Sequence, residues 1–255
     1  MLHICDPQQN YILRTLSPQE FEHLAPCLEL VSLPYAKVLY QTNEEMPYAY
    51  FPTTSAATLL CSLEDGTSVE VAMVGNEGLL GISVFMGGNM ALTQAVIHTA
   101  GFAYRISAKA LKEALDRSGG RREGGLQQLL QRYTQMLIMH MAQTTACHRR
   151  HSLDQQLSRW LLLSLDRMNS NSLAMTHQLI SDMLGVRRET ITEATRRLQQ
   201  AGIISTHRGH INIMNRPKLE AHVCECYGIL KSESERYLNT AHLDRPNEHG
   251  QHLHD

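Results

Sequence analysis

Short apolar runs separated by turns dominate roughly the first 115 residues of the chain. Residues 58–63 and 68–74 are rich in aliphatic and β-branched side chains, and the turn-type pair Asp65-Gly66 lies between them. Short strands at intervals of about ten residues, divided by glycine-containing turns, are typical of an all-β barrel or sandwich. The pattern therefore predicts a β domain in the first half of the chain.

Two helices border these strands. Ser17, Pro18 and Glu20 form a helix start. The serine caps the first turn, the proline fits the first helical position, and the glutamate can return a hydrogen bond to the cap. A second helix is expected over residues 107–117, which a Gly-Gly pair follows.

The period changes from Gly125 onward. Apolar and weakly polar positions now recur at alternating intervals of four and three residues, which is the spacing of a heptad seam. We expect a long central helix whose seam contacts a second copy of the chain, although a helix buried in its own core would show the same spacing. The predicted dimerisation residues are Leu126, Leu130, Tyr133, Leu137, His140 and Thr144.

Residues 152–168 predict another amphipathic helix, and two short helices joined by a tight turn follow it. Thr176 can cap the first short helix, and Gly185 can adopt the left-handed conformation that ends it. The second begins near Arg187 and runs to Gln200. Its inward positions are Ile191, Ala194, Thr195 and Leu198.

The outer side of this second helix carries polar side chains, and a hairpin that turns near Arg208 comes next. A helix fits the major groove of DNA, where arginine bonds guanine and glutamate accepts from cytosine. Basic groups on such a hairpin, called a wing, meet phosphates. Two short helices joined by a tight turn and followed by a hairpin predict a winged helix-turn-helix. The predicted DNA-binding residues are Thr176, His177, Arg187, Arg188, Glu189, Thr190, Thr192, Glu193, Arg196, Arg208 and His210.

Charge is distributed unevenly along the chain. The formal net charge is −2, yet residues 1–120 carry 6 basic and 12 acidic residues. Residues 146–216 carry 10 basic residues, all arginine, and 5 acidic ones. Such a segment is typical of a polyanion-binding domain, although chance variation of surface charge would give the same composition.

Composition and missing motifs exclude several classes of protein. No apolar run approaches the roughly 18 residues of a membrane helix. The first residues lack the pattern of a secretory signal, so we expect a cytoplasmic protein without membrane contact. The six cysteines are too dilute for a disulfide scaffold. We expect no enzyme activity, because His98 is the only histidine between Leu24 and Gly120, and hydrolase and phosphate-loop motifs are absent.

These segments together resemble the Crp/Fnr superfamily of bacterial transcription regulators, from about Asn10 to Tyr227. The strings LSPQEFEHLAPCLELVSLP and GTSVEVAMVGNEGLLG resemble its cyclic-nucleotide-binding-like β-roll. GVRRETITEATRRLQQAGII resembles its recognition helix, and RGHINI its wing. The resemblance implies a homodimer that binds a two-fold operator in double-stranded DNA. It also makes RNA polymerase and an unidentified small-molecule effector candidate partners.

The resemblance carries over to the recognition helix only in part. Arg188 and Glu189 stand where the catabolite activator type has its Arg-Glu pair, whereas Glu193 replaces a second base-reading arginine. We expect Arg188 to contact guanine and Glu189 to contact cytosine. The half-site preference of the family cannot be copied to this chain.

The effector pocket departs further from the family. Cyclic nucleotides are held there by a Gly-Glu pair and by an arginine, but here Ile82 replaces the carboxylate and no arginine is present. Losing one charge-assisted contact costs on the order of 2 kcal/mol. We therefore expect a degenerate pocket that does not bind cyclic AMP. Its residues are Gly81, Ile82, Ser83, Thr93, Gln94 and Ala95.

The cysteine positions lead us to expect no metal and no cofactor. Cys5 and Cys27 lack the close spacing that holds an iron–sulfur cluster in oxygen-sensing members. Cys224 and Cys226 could form a redox or metal pair. On one helix starting near Pro217, however, their side chains would point about 200° apart, which favours two buried structural cysteines.

The sequence thus predicts an α+β chain. A β-roll sensor domain occupies residues 1–120, a dimerisation helix 121–145, a crp-type winged helix-turn-helix domain 146–238 and a disordered tail 239–255. The predicted function is a sequence-specific transcription regulator that is not gated by cyclic AMP. The alternative is a small-molecule or redox sensor that signals through protein contacts.

Overall fold

Two antiparallel sheets form the N-terminal domain. Their strands are β1 (Glu29–Leu33), β2 (Val38–Tyr40), β3 (Tyr48–Pro52), β4 (Ala56–Ser62), β5 (Ser68–Val74), β6 (Gln94–Thr99) and β7 (Gly101–Ser107). One sheet has the strand order β1-β7-β3, and the other has β2-β6-β4-β5. The computed structural model describes residues 6–118, 125–167 and 171–240.

Short helices accompany the sheets. They are α1 (Tyr11–Thr15), α2 (Pro18–Leu24), α3 (Ile82–Phe85) and α4 (Ala108–Ser118). The predicted helix start at Ser17 is confirmed. The backbone N–H of Glu20 donates to Ser17 Oγ at 3.3 Å, and the backbone N–H of Ser17 donates to Glu20 Oε2 at 3.2 Å.

A long helix, α5 (Gly125–Arg150), leads from the sheets to the C-terminal domain. It runs past residue 145, so the central helix is longer than predicted. The elements that follow are α6 (Leu153–Asp166), β8 (Ser172–Ala174), α7 (His177–Leu184), α8 (Arg188–Gln200), β9 (Ile204–His207), β10 (His210–Ile213), α9 (Arg216–His222) and α10 (Glu225–Thr240). The predicted order of β domain, long helix and winged helix-turn-helix is confirmed.

The sheet β2-β6-β4-β5 is buried on both faces. Its inner face, with Val74 and Ile97, packs in the core of the β domain. Its outer face, with Leu60, Met73 and Val96, packs in a second core that it shares with α6, α7 and α8. The two domains therefore share apolar surface rather than meeting only through the linking helix.

Trp160 anchors α6 to this outer face. Its Nε1 donates to Glu70 Oε2 at 2.7 Å, and both residues are buried. Glu70 and Met73 would face opposite sides of a regular strand, since their separation is odd. A register shift in the pairing of β4 with β5, between Leu59 and Leu60, lets both face α6. Burial raises the pKa of Glu70, although Arg159 nearby favours the charged form.

The predicted dimerisation seam lies inside the chain itself. None of its six residues is more than 3% exposed. The first four face the core of the β domain, along which α10 also packs on α5, and Thr144 accepts a hydrogen bond from Arg159 of α6. Tyr133 shows this best, because its hydroxyl donates to the backbone oxygen of Leu79 at 3.0 Å and its ring lies 6.1 Å from that of Tyr237. The interpretation as a helix buried in its own core fits this placement, and a partner would have to contact the opposite face.

The predicted tail and the start of the predicted central helix lie partly outside the described residues. The tail expected from Asn239 begins inside α10, and residues 241–255, which include His252 and His254, lie outside the described residues. Of the helix expected over 121–145, residues 121–124 lie outside them as well. Among the described residues, no helix is both long enough and apolar enough to cross a membrane.

We predict that Trp160→Phe lowers the free energy of unfolding by about 1–3 kcal/mol or more, because the buried carboxylate of Glu70 loses its donor. Trp160 is the only tryptophan in the chain. Urea unfolding is therefore best followed by circular dichroism for both proteins, with the wild-type fluorescence as a second probe of the domain contact.

Glu70→Gln is the matched control. Because the pKa of Glu70 is raised above its ordinary value of 4.5, the stability that it contributes is present below pH 4.5 and is lost as the pH rises through the folded-state pKa. Glutamine keeps an acceptor for Trp160 without the charge, so this variant should be at least as stable as the wild type at pH 7. A loss equal to that of Trp160→Phe would contradict this account.

Candidate nucleic-acid interface

A capped helix and a glycine turn build the helix-turn-helix. Thr176 Oγ1 accepts from the backbone N–H of Leu179 at 3.2 Å at the start of α7. Gly185 ends α7 with φ 63° and ψ 34°, in the left-handed region. Both features are confirmed as predicted. They set a sharp reversal between α7 and α8, because the chain can leave α7 only in the direction that this conformation allows.

Buried side chains fix the angle between the two helices. Ile180 and Met183 of α7 are fully buried, as are Ile191 and Ala194 of α8. The four inward positions predicted for α8 are all buried. The outer side of α8 is therefore presented by a rigid pair of helices rather than by a loop.

The outer face of α8 is open to solvent. Arg187 and Arg188 precede and begin the helix, and Glu189 follows them in its first turn. The exposed members of the predicted set on this face are Arg187, Arg188, Glu189, Thr190, Thr192, Glu193 and Arg196. Thr176, at the start of α7, is exposed as well. Positions one helical turn apart can reach neighbouring bases or phosphates together.

His177 is placed differently from the other predicted residues. It is half-buried, with Nδ1 at 3.1 Å from Thr192 Oγ1 and Nε2 at 3.4 Å from Thr195 Oγ1. Burial lowers its pKa, and the charge of Arg188 lowers it further. A neutral His177 therefore links α7 to α8, and its imidazole is already committed to contacts within the chain.

The wing stands beside this face. β10 pairs with both β9 and β8, and the backbone N–H of Met175 donates to the oxygen of Gly209 at 2.7 Å. The turn has positive φ at Arg208 and Gly209, 44° and 80°, as a tight two-residue hairpin turn requires. Arg208 and His210 are exposed at its tip, as expected.

The structure divides the ten arginines of residues 146–216 into two groups, which the sequence did not reveal. Four are held within the chain, for example Arg197, whose Nε donates to Asp154 Oδ2 at 2.7 Å. The others of this group are Arg159, Arg167 and Arg216, bonded to Thr144, Glu77 and Asp166 respectively. The other six arginines are exposed, and they are Arg149, Arg150, Arg187, Arg188, Arg196 and Arg208. Four of these six lie on α8, just before it, or on the wing.

The helix-turn-helix also rests on the β domain of the same chain. Ser68 Oγ donates to the backbone oxygen of Asp182 at 3.4 Å, and a side chain added at Gly185 would lie 3.5 Å from Val69. α7 therefore packs on β5, so the β domain holds the helix before the turn. Nothing in the local sequence pattern indicates this contact.

The predicted effector residues lie at the start of α3 and around the start of β6. Tyr40 of β2 connects the two stretches, because it pairs with Ala95 and its hydroxyl lies beside the backbone of Gly81. Burial raises the pKa of Tyr40. Gln94 is bonded to Gln41, with Nε2 donating to Oε1 at 2.6 Å. The structure thus brings the stretches together beside a buried phenol.

Residues 155–222 match the family model of the Crp-like helix-turn-helix domain. This range contains α7, α8 and the wing. The chain has the fold of a Crp/Fnr transcription regulator. This confirms the resemblance that was inferred from the motifs. A comparison of the chain with curated protein sequences gives no match.

Solved structures extend the Crp/Fnr fold to the N-terminal domain. FixK2 from Bradyrhizobium japonicum is 20% identical, with 77% of this chain and 98% of that chain covered and a TM-score of 0.63. TTHB099, a CRP-family regulator from Thermus thermophilus, is 18% identical, with coverage of 75% and 95% and a TM-score of 0.61. TTHA1359, a CRP/FNR-family regulator from the same organism, is 18% identical, with coverage of 76% and 97% and a TM-score of 0.56. At these identities the comparison establishes the shared fold.

We predict that Gly185→Ala destabilises the chain by about 1–2 kcal/mol, because a Cβ disfavours the left-handed conformation. Gly228→Ala is the matched control. Gly228 lies in α10 and has open space around it, so alanine should stabilise that helix by about 0.5–1 kcal/mol. Thermal unfolding followed by circular dichroism measures both changes, and equal effects of the two substitutions would contradict the role of the turn.

Proposed function

We propose that the chain is a sequence-specific transcription regulator that binds double-stranded DNA as a homodimer on a two-fold operator. The observation that carries this proposal is the outer face of α8, where exposed arginines and glutamates stand on a helix whose inner face is buried against the capped helix α7. A rigid helix with this chemistry meets the geometry of the major groove.

The head of α8 supplies the base-reading groups. In this proposal Arg188 donates to O6 and N7 of guanine, and Glu189 accepts from N4 of cytosine. Glu193 lies one turn further along the same face and adds a second acceptor for cytosine. Arg187 and Arg196 flank these residues and meet phosphates or adjacent bases.

The wing supplies contacts without base selectivity. Arg208 and His210 lie at its exposed tip, beside α8, where the phosphate backbone would pass. Because such contacts release counterions, binding should weaken steeply as salt is added.

The exposed face of α5 supplies the dimer contact in this proposal. It has heptad spacing of its own, with Gln131, Gln135, Ile138, Ala142, Thr145 and Arg149. Ile138 is 59% exposed, and Arg132 is the only Lys, Arg, Asp or Glu in residues 131–146. A central apolar side chain in a stripe that carries no charge before Arg149 favours helix–helix pairing with a second copy.

The proposal includes no gating by cyclic AMP. Ile82 stands where a ribose-binding carboxylate is needed, and Thr93 where an arginine would neutralise the cyclic phosphate. Buried Tyr40 beside Gly81 and Ala95 supports the same conclusion, since its ring takes up space next to both stretches. Any effector of this chain must therefore use other chemistry.

We predict that selection of duplexes from a random pool, without added ligand, enriches a two-fold site with half-sites about one helical turn apart. Arg188→Ala should lower the affinity for that site by about 10- to 100-fold and relax one base position in each half-site. Fluorescence anisotropy with the selected duplex and with single-base variants measures both effects.

Lys109→Ala is the control for loss of one positive charge, because Lys109 is highly exposed on α4 of the β domain. Its affinity for the selected duplex should equal that of the wild type. A folded dimer that enriches no sequence, and whose weak binding is the same with Arg188→Ala, would contradict the proposed function and favour the sensor that signals through protein contacts.

We predict that Ile138→Asp converts the dimer to a monomer at micromolar concentration, because each copy would place a carboxylate at the centre of the paired stripe. Leu92→Asp is the matched control, since Leu92 is an exposed residue of the β domain, 75% accessible. Sedimentation equilibrium measures the mass of each variant. A wild-type monomer, or a dimer that survives Ile138→Asp, would show that this face is not the interface.

A further inference from the structure

Four metal-ligating side chains converge where the end of α5 meets the start of α10. They are Cys147, His151, Cys224 and Cys226, and their ligand atoms all lie within 4.8 Å of one another. The three cysteines are buried, with exposures of 0%, 4% and 1% in chain order. The side chain of His151 is 18% exposed. The cluster lies outside the proposed DNA-binding face.

Two of the distances between ligand atoms in the cluster match those of a tetrahedral site. Cys147 Sγ lies 3.6 Å from Cys224 Sγ, and Cys226 Sγ lies 3.5 Å from His151 Nδ1. With metal bonds of about 2.3 Å to sulfur and about 2.0–2.1 Å to nitrogen, tetrahedral ligands lie about 3.8 Å apart for two sulfurs and about 3.6 Å apart for sulfur and nitrogen. The two measured edges are within about 0.2 Å of these values.

Local structure explains how the four side chains come to face one another. Cys147 and His151 are one helical turn apart, and the backbone N–H of His151 donates to the oxygen of Cys147 at 3.0 Å. α9 ends at His222, and α10 begins at Glu225, so Cys224 precedes the new helix and Cys226 lies in its first turn. The single helix expected from Pro217 is therefore wrong, and with it the argument that the two thiols point apart.

Neighbouring groups hold the ligands in the orientation that a metal needs. His151 Nε2 lies 3.2 Å from Glu225 Oε1, which directs Nδ1 toward the cysteines. Gln143 Nε2 donates to Cys226 Sγ at 3.0 Å, as a donor to a thiolate would. A carboxylate behind a metal-binding histidine is a recurrent feature of zinc sites.

We infer that Cys147, His151, Cys224 and Cys226 bind one zinc ion. Three thiolates and one imidazole, with no place left open, form a structural set rather than a catalytic one. The ion would fasten α10 to the end of α5, beside the junction with α6. A disulfide between Cys147 and Cys224 would use only two of the four groups and is the competing outcome of the test.

Metal analysis of the full-length protein, purified without chelator or added metal, tests this inference directly. We expect one zinc per chain by inductively coupled plasma mass spectrometry. Cys226→Ser should lose most of it, whereas Cys61→Ser and Cys27→Ser, which alter exposed cysteines, should keep it. Glu225→Gln should retain the site but weaken zinc affinity by about 10- to 100-fold in a chelator competition.

Two further measurements keep the test decisive if a cysteine variant fails to fold. Cobalt added to metal-free wild-type protein should give the visible bands of tetrahedral thiolate coordination, which zinc then removes. Replacing His252 and His254 with alanine should leave the zinc content unchanged. Three outcomes would each overturn the inference. They are a zinc content that falls when these two histidines are replaced, iron bound in place of zinc, and a Cys147–Cys224 disulfide in protein without metal.

Discussion

The packing of α6 on the outer face of the sheet β2-β6-β4-β5 is the contact on which the rest of the structure depends. The hydrogen bond from Trp160 to Glu70 fixes the position of this helix. The helix packs on an apolar surface that is formed by Leu60, Met73 and Val96. α7 then packs on β5, and α8 packs on α7. The proposed DNA-reading face thus rests on a chain of contacts that begins at a β-strand pair far away in sequence, where a register shift lets Glu70 and Met73 both face α6.

That contact also explains why charge alone indicates so little about this chain. Arg159 is fully buried and Arg167 pairs with Glu77, so arginines inside the basic segment support the domain interface rather than face a polyanion. Arg197 and Arg216 are paired with carboxylates of α6. The charge that remains outward is concentrated on α8 and the wing. These exposed arginines, rather than the composition of the segment, favour the binding of nucleic acid.

Features that depend on a few adjacent residues could be predicted from the sequence. The Ser17 helix start, the Gly185 turn and the inward face of α8 follow from capping, backbone conformation and period, and all three are confirmed. What covers an apolar face could not be predicted in this way. A heptad pattern shows that one side of α5 is buried, but its partners are the β domain and α10, and α10 begins a hundred residues after the start of α5. The contacts of His177 could not be predicted for the same reason, because its hydrogen-bond partners Thr192 and Thr195 lie on the neighbouring helix α8.

α5 therefore has three distinct sides with different roles. One side closes the core of the β domain, a second is covered by α10, and the third is the exposed stripe around Ile138. The cysteine–histidine cluster lies at its C-terminal end, where the chain turns into α6. Because α6 carries Trp160 and supports α7 and α8, a change in how α10 is joined to α5 would act on the same element that positions the proposed reading face. In the proposed regulator, a signal from the β domain would need no separate route, since the sheet contacts α6 directly, and the two inputs would meet at one helix.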